Sequence, residues 1–417
     1  MMKLEGWDTK YLGQVAQIVM GQSPDSKYYS EEEVGLPFLQ GCAEFTEKFP
    51  IANIYCSQSK KIATSGSILF SVRAPVGKTN LADRKYIIGR GIAALLACEI
   101  SQGYLHHYLI YSENSFRNAS QGSTFEAINS KELNNWAIKF PELPQEQEKV
   151  TEILSTIDRA ISQTEAIIAK QQRIKTGLMQ DLLTKGIDEN GNIRSEATHE
   201  FKDSAIGRIP VGWDVELLDK LGERGSGHTP NKSHPNYWNG GIKWVSLADS
   251  SKLDQIYIFD TDKEISIQGL KNSSAVLHPK GTVILSRDAG VGKSAILGTK
   301  MAVSQHFIAW RCGTNLNNYY LYYWLQKEKP KFEGIASGST IVTIGLQFFR
   351  QYQIAIPKLI DEQNLIAEII KKSDESISKH RCSLEKLKRR KTGLMQDLLT
   401  GKVRVTNLLK EKEPASL

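Results

Sequence analysis

Ten consecutive residues, KTGLMQDLLT, occur twice in this chain, at Lys175–Thr184 and at Lys391–Thr400. An identity of that length, 216 positions apart, makes the chain two copies of one unit, and any fold must accommodate the duplication. The same offset holds upstream without a gap. Pro141, Glu146 and Gln147 map onto Pro357, Glu362 and Gln363, and Gly122-Ser123-Thr124 maps onto Gly338-Ser339-Thr340. Further back the match loosens, with Gly6-Trp7-Asp8 recurring as Gly212-Trp213-Asp214 at an offset of 206. Each half is therefore a variable front part followed by a nearly constant tail.

The tails carry a helical pattern. Val150, Leu154, Ile157, Ile161, Ile168, Leu178 and Leu182 fall at spacings of three and four, with Thr164 and Gln171 filling two gaps. The second tail repeats the stripe with Ile366, Ile370, Ile377, Leu384, Leu387, Leu394 and Leu398, interrupted by Ser373 and His380. Such a helix is roughly 55–60 Å long at ~1.5 Å per residue. Alone it is unstable in water, and its own copy is the simplest partner, packed stripe to stripe as a coiled-coil-like pair. The polar interruptions read as a layer that fixes register. Gly177 and Gly393 lie inside the repeated motif, where glycine costs a helix ~1 kcal/mol; a kink, a helix end or close approach of another chain would each justify them.

The front parts read differently. Gly66–Ser71, Trp136–Phe140, Gly281–Ser286 and Tyr352–Ile356 are short apolar or alternating runs bounded by turn residues, the pattern of strands in a mixed α/β domain. Tyr104–Ser112 and Tyr319–Lys327 read as helices, and His106-His107 as flanking a helix surface. The resulting fold class is α+β: two mixed α/β domains separated by two long antiparallel helices, with an internal pseudo-two-fold repeat. The expected divisions are residues 1–143, a first domain; 144–185, a first spacer helix; 186–211, a linker; 212–359, a second domain; 360–402, a second spacer helix; and 403–417, a tail.

Composition narrows function by exclusion. Hydrophobic content of 40% and charged content of 24% fit a globular protein. The longest apolar run, Tyr86–Cys98, is too short to span a membrane and is broken by Arg90, so no membrane partner and a cytoplasmic location are expected. The N-terminus lacks the apolar stretch of a signal peptide. Five cysteines without a CxxC pair read as thiols in a reducing compartment, with no metal site. A net charge of +7 fits either a lysine-bearing surface or a polyanionic partner such as nucleic acid.

Two motifs invite catalytic readings and fail them. Gly292-Lys293-Ser294 lacks the first glycine of a phosphate loop, since Arg287 stands there, and Pro75-Val76-Gly77-Lys78-Thr79 lacks it too. Both read as tight turns between strands, with Lys78 and Lys293 placed to touch a DNA phosphate. His234-Pro235-Asn236-Tyr237-Trp238 has the wrong first and third residues for a base-clamping methyltransferase motif. No catalytic residues are assigned. The remaining polar, basic and aromatic residues suit groove and phosphate contacts: Gln22, Ser23, Tyr28, Tyr29, Gln40, Arg73, Ser123 and Thr124 in the first half, and Thr229, Asn231, Lys232, Tyr237, Trp238, Lys243, Arg287, Ser339 and Thr340 in the second.

These features together resemble the specificity subunits of type I restriction–modification systems. The likeness rests on LMQDLLTKG and LMQDLLTGKVRV, on FKDSAIGRIPVGW at Phe201–Trp213, on Gly21–Phe45 and Gly227–Asp249, and on the entries Pro141–Gln147 and Pro357–Gln363. It covers almost the whole chain. The resemblance implies a non-enzymatic subunit whose two target recognition domains read the halves of a bipartite, asymmetric site on double-stranded DNA. It also implies recruitment of two adenine methyltransferase subunits and, in the full complex, restriction subunits. S-adenosylmethionine, ATP and Mg would then reside in those partners, with no cofactor in this chain. Ile153, Ala160, Ile167 and Ile174 beside the helical stripe, with Leu178, Leu182, Leu394 and Leu398 in the repeated ends, are the candidate partner surface. A duplicated enzyme with a disguised site, or a pure assembly scaffold, are the other classes compatible with the repeat.

Overall fold

The computed structural model describes residues 5–58, 61–120, 127–336 and 343–409. The chain divides into two compact units: Met1–Glu165 with Cys382–Leu417, and Ala166–Arg381. Two long helices, Pro144–Leu182 and Ile360–Leu399, contribute to both. Each unit thus combines one front part, the opening stretch of the helix that follows it and the closing stretch of the other helix.

In the first unit, strands Ala16–Met20, Ile92–Ala97, Ile68–Ser71 and Thr79–Leu81 form an antiparallel sheet in that order. Alternation along Ile68–Ser71 sends Ile68 and Phe70 into one core and Leu69 into another. Both sheet faces are covered, which explains why the strand reads as a continuous apolar run. A second sheet joins Leu36–Leu39 to Tyr86–Ile88 in parallel. The second unit repeats the plan. Val283 and Leu285 enter one core while Ile284 enters another, and Trp238–Val245 pairs in parallel with Met301–Val303. The expected helices are present as Gln102–Tyr111 and Asn318–Ile335.

One core in each unit is completed by residues at the end of the other repeat's helix and just beyond it. Met395, Leu398, Leu399 and Val405 pack with Tyr104, Val150 and Leu154 in the first unit. Leu182, Leu183 and Ile187 pack with Tyr320, Ile366 and Ile370 in the second. Gly401 and Gly186 close the helices at φ +75° and +66°, where a Cβ would lie 2.9 Å from the Trp7 ring and 2.7 Å from the Trp213 ring. Only glycine serves there: the left-handed backbone ends the helix and the missing side chain admits an indole.

The Glu-Gln pairs noted in the sequence are the joints of this arrangement. Gln147 donates to the Pro141 carbonyl at 2.8 Å and accepts from Ser101 N at 2.7 Å; Gln363 donates to Pro357 O at 3.1 Å and accepts from Asn317 N at 3.0 Å. Glu146, buried, takes the Arg404 guanidinium in a two-pronged bond at 2.7 Å each. Glu362 takes Arg194 in the same way, and its Oε1 also accepts from Trp213 Nε1 and Ile187 N, both at 3.1 Å. Residues 186–211 accordingly contribute to the second unit, with Ile187 and Ile209 buried in its core.

The helix stretches pair antiparallel within each unit through one repeated contact. Lys391 meets Asp158 at 2.6 Å in the first unit, and Lys175 meets Asp374 at 2.6 Å in the second. All four residues obey the 216 offset, and each lysine opens the repeated decapeptide. Gln171 accepts from Ser376 Oγ at 3.3 Å, supplying a polar register contact, whereas Thr164 bonds back to Ala160 O in its own helix. A Cβ at Gly177 or Gly393 would meet nothing within 4 Å. The helices run through both glycines without ending, and no close approach within the described residues requires them.

Two expectations change. Leu182 and Leu398, assigned to a partner surface, are 2% and 3% exposed and belong to the unit cores, because the helix ends turn inward to plug them. His107 is buried rather than superficial, held by Ser155 Oγ at 3.2 Å. Residue 323, the counterpart of His107 at the 216 offset, is a buried tyrosine whose hydroxyl donates to Asp374 at 3.0 Å.

Candidate nucleic-acid interface

The end of the central sheet gathers several of the expected contacts in each unit. In the first unit, strand Tyr86–Ile88 leaves the second sheet, turns through Gly89-Arg90-Gly91, and enters the central sheet at Ile92. Ile92 N donates to Gly89 O at 3.0 Å, closing the turn, and Gly89 N donates to Leu39 O at 2.8 Å. Gln22 N donates to Ile88 O at 2.9 Å and Val72 N to Gly91 O at 3.0 Å. Gln22, Ser23, Gln40 and Arg73 are thereby brought round one turn, with Arg90 at its tip. Gly21 is forced by this crowding, since a Cβ there would lie 2.1 Å from Gly89 O.

The second unit builds the same scaffold from other side chains. Phe307 N donates to Ser304 O at 3.1 Å, Ser304 N to Val245 O at 2.8 Å, His228 N to Val303 O at 3.1 Å, and Arg287 N to His306 O at 3.0 Å. Gln305 occupies the tip. Thr229 donates its hydroxyl to Gln305 Oε1, while in the first unit Ser23 Oγ accepts from Arg90 N at 3.4 Å.

The lysine turns are hairpins, as their sequences suggest. Ser71 N donates to Lys78 O, and Ser286 N to Lys293 O, each at 2.8 Å. The ammonium groups are less free than expected for phosphate contacts. Lys78 is exposed but paired with Glu113 at 2.9 Å, and Lys293 is half-buried and donates to Ser250 O at 3.0 Å. One of the three N–H donors of Lys293 is thus used inside its own unit by the Ser250 carbonyl. Arg287 lies 3.4 Å from Asp288, whose carboxylate also binds His306 at 2.7 Å and Thr343.

The other candidates scatter. The Tyr29 ring lies tilted 4.9 Å from Phe38 and its hydroxyl donates to Pro24 O at 3.1 Å; burial raises its pKa, partly offset by the positive charge of Arg90. Tyr28 is half-buried beside it, with Lys27 over its ring at 5.0 Å. Asn231 and Lys232 are exposed, and the Asn231 carbonyl accepts from Trp238 Nε1 at 3.3 Å. Trp238 packs edge-on against Trp244 at 5.2 Å, and Tyr237 lies 4.8 Å from the His234 ring. Lys243 donates to Phe259 O and pairs with Asp260 at 3.3 Å, holding that carboxyl below its usual range. Ser123, Thr124, Ser339 and Thr340 lie outside the described residues. Arg90 and Gln305 escaped the sequence reading, although the break that Arg90 makes in the apolar run Tyr86–Cys98 was the available signal.

No group of three or more metal-ligating side chains stands together among the described residues, and no described helix is long and apolar enough to cross a membrane. What these sheet ends offer is a rigid backbone displaying guanidinium, amide and hydroxyl groups, the chemistry of base edges and phosphates. The family model for the type I restriction modification DNA specificity domain matches residues 4–173 and again residues 210–389.

The chain belongs to that family. Its members are DNA-recognition subunits rather than enzymes. The chain is 24% identical over 423 residues to the type I restriction enzyme MjaVIII specificity subunit of Methanocaldococcus jannaschii, covering 97% of this chain and 94% of that one. Shorter stretches are 35% and 32% identical to a provisionally named MjaX and to the MjaIX specificity subunits of the same organism. These cover 43% of this chain and only 43% and 41% of those relatives, so the chain spans less than half of their length in those matches. The fold is similar to the crystal structure of the S subunit from M. genitalium, with a TM-score of 0.60 at 13% identity, covering 95% of this chain and 97% of that one. It is also similar to a chain from a study of complex assembly and conformational transition of the type I system, with a TM-score of 0.61 at 17% identity, over 96% and 99% of the two chains.

Proposed function

We propose that this specificity-family chain reads a bipartite, asymmetric site on double-stranded DNA, one half through the sheet end of each unit. The observation that carries the reading is a shared backbone scaffold presenting different side chains. Repeated hydrogen bonds hold the turns 89–92 and 304–307 alike, while Gln22, Arg73 and Arg90 in one unit are replaced by His228, Asp288 and Gln305 in the other. Like frames with unlike contact residues suit two unlike half-sites.

In this reading the chain recruits two adenine methyltransferase subunits and, in a full complex, restriction subunits. Methyl transfer and cleavage belong to those partners, which hold S-adenosylmethionine, ATP and Mg, and the assembly acts on cytoplasmic DNA. Ile167 and Ile174, 43% and 49% exposed on the first long helix, support a docking role for its outer face. Ile153 is half-buried against the first core and Leu178 and Leu394 pack against the cores, leaving them a smaller share.

Exchange of residues 1–140 for those of another family member, followed by sequencing of methylated sites, tests the reading. One half of the methylated sequence is expected to change and the other to stay. Change in both halves, or in neither, overturns it.

A further inference from the structure

We propose that the turn-tip residue, Arg90 in the first unit and Gln305 in the second, reads a base: Arg90 a guanine in one half-site and Gln305 an adenine in the other. This rests on the DNA-reading function proposed above and assigns base identity within it.

Four observations converge. First, the tip is immobilised by backbone bonds that recur in both units. The turn-closing bond, the bond to the parallel strand, the bond from residue 22 or 228, and the bond from residue 72 or 287 agree within 0.2 Å between units. A side chain on such a frame is pre-organised for directional contact. Second, both tips are exposed, and no ion pair ties the Arg90 guanidinium among the described residues. Third, the tip is the second residue of a closed four-residue turn, a place where proline is favoured. Neither Arg nor Gln is there for the turn's sake, so a backbone reason for these residue types is missing. Fourth, the two residue types are those whose planar, two-pronged groups match base edges in the major groove: Arg with O6 and N7 of guanine, Gln with N6 and N7 of adenine.

The surroundings strengthen the assignment. Thr229 donates to Gln305 Oε1, and Gln305 Nε2 lies 3.4 Å from His306 Nε2; together they fix the amide plane while leaving the second lone pair of Oε1 and the other Nε2 hydrogen for adenine. Ser23 supports the other turn through Arg90 N. Thr229 and Ser23 are thus positioning residues. Gln22 and Gln40, exposed beside Arg90, flank the same contact.

The test uses the full chain co-expressed with its methyltransferase partners, with methylated sites sequenced for wild type, Arg90→Gln, Arg90→Lys and Gln305→Arg. Arg90→Gln is expected to weaken methylation of the original site roughly ten- to a hundredfold and to change preference at a single base pair of one half-site. Gln305→Arg should change a single base pair of the other half. Arg90→Lys keeps the charge and loses the planar fork, so it should weaken the guanine preference while retaining most overall DNA affinity. An unchanged recognition sequence in all variants overturns the assignment, as does a uniform loss across sequences that Lys rescues, the mark of a phosphate contact. If the wild-type chain directs methylation to no defined sequence, the DNA-reading function itself fails, separately from these residues.

Discussion

The two units anchor the same helix aspartate differently. In the first, Asp158 receives Lys391 at 2.6 Å, while His107 stands 3.9 Å away, beyond hydrogen-bond reach. In the second, Asp374 receives Lys175 at 2.6 Å and the Tyr323 hydroxyl at 3.0 Å. The lysine bridge holds one helix stretch to the other, and the repeat keeps it unaltered. The His/Tyr position joins the front part to the helix, and there the halves have diverged. The Glu-Arg joints show the same division. Glu362 also serves Trp213 Nε1, whereas Trp7 Nε1 is buried without a partner among the described residues. The Lys–Asp bridge between the helix stretches is kept alike, while the His/Tyr and Trp contacts that seat each front part differ.

The sharpest break of this comparison is at the two glutamates. Glu362→Ala strands Arg194, Trp213 Nε1 and Ile187 N together, and is expected to cost the second unit about 3–5 kcal/mol. Glu146→Ala strands Arg404 alone and should cost the first unit less. Denaturant unfolding, resolved by amide exchange in each unit, checks the order; equal losses would deny that the second joint is the stronger. Next in size, Leu182→Ala and Leu398→Ala should each remove about 2–5 kcal/mol from the unit that buries the residue. Ile167→Ser and Ile174→Ser should stay within about 0.5 kcal/mol and instead reduce capture of methyltransferase subunits. Stable leucine variants with impaired capture would return those leucines to the partner surface.

Effects smaller than those of the buried leucines are expected at His107 and Tyr323. Tyr323→Phe removes one hydrogen bond to a charged group, for about 1.5–3 kcal/mol at most. His107 behaves differently because it titrates. Burial lowers its pKa from 6.5 to about 4, and burial does the same to the adjacent His106. The unfolded chain therefore binds these protons first, so the stability they protect is present above pH 6.5 and is lost as pH falls towards 4. His107→Gln should flatten that acid loss in the first unit. His278 gives the second unit a loss of the same sign, so the readout is the change caused by the variant rather than the difference between units. An unaltered acid profile in the variant would remove His107 from the account.

Much of this was legible in the chain because helices and strands leave local periodicities. The stripe from Val150 to Leu182, the apolar runs ILFS and VILS, and the paired Glu-Gln positions all mark features present in the fold. The proposed interface was half legible. Gln22, Ser23, Gln40 and Arg73 were recognisable as contact chemistry, but Arg90 read only as an interruption and Gln305 gave no signal. Both owe their placement to strands distant in sequence. The neighbours of Lys293 in sequence are those of an open turn, while the carbonyl it binds belongs to the distant Ser250.

The sequence by itself determined the duplication, the lengths of the two helices and the family, since identity and periodicity are properties of contiguous residues. The tertiary structure decided what those copies do to one another. It placed the end of each helix in the core of the unit begun by the other repeat, and thereby turned Leu182 and Leu398 inward. It also gathered residues 22, 40, 73 and 90 round one turn. Such contacts join residues as far apart as Glu146 and Arg404. Burial and charge pairing choose those partners only once the chain has folded back on itself, and no local pattern records the choice.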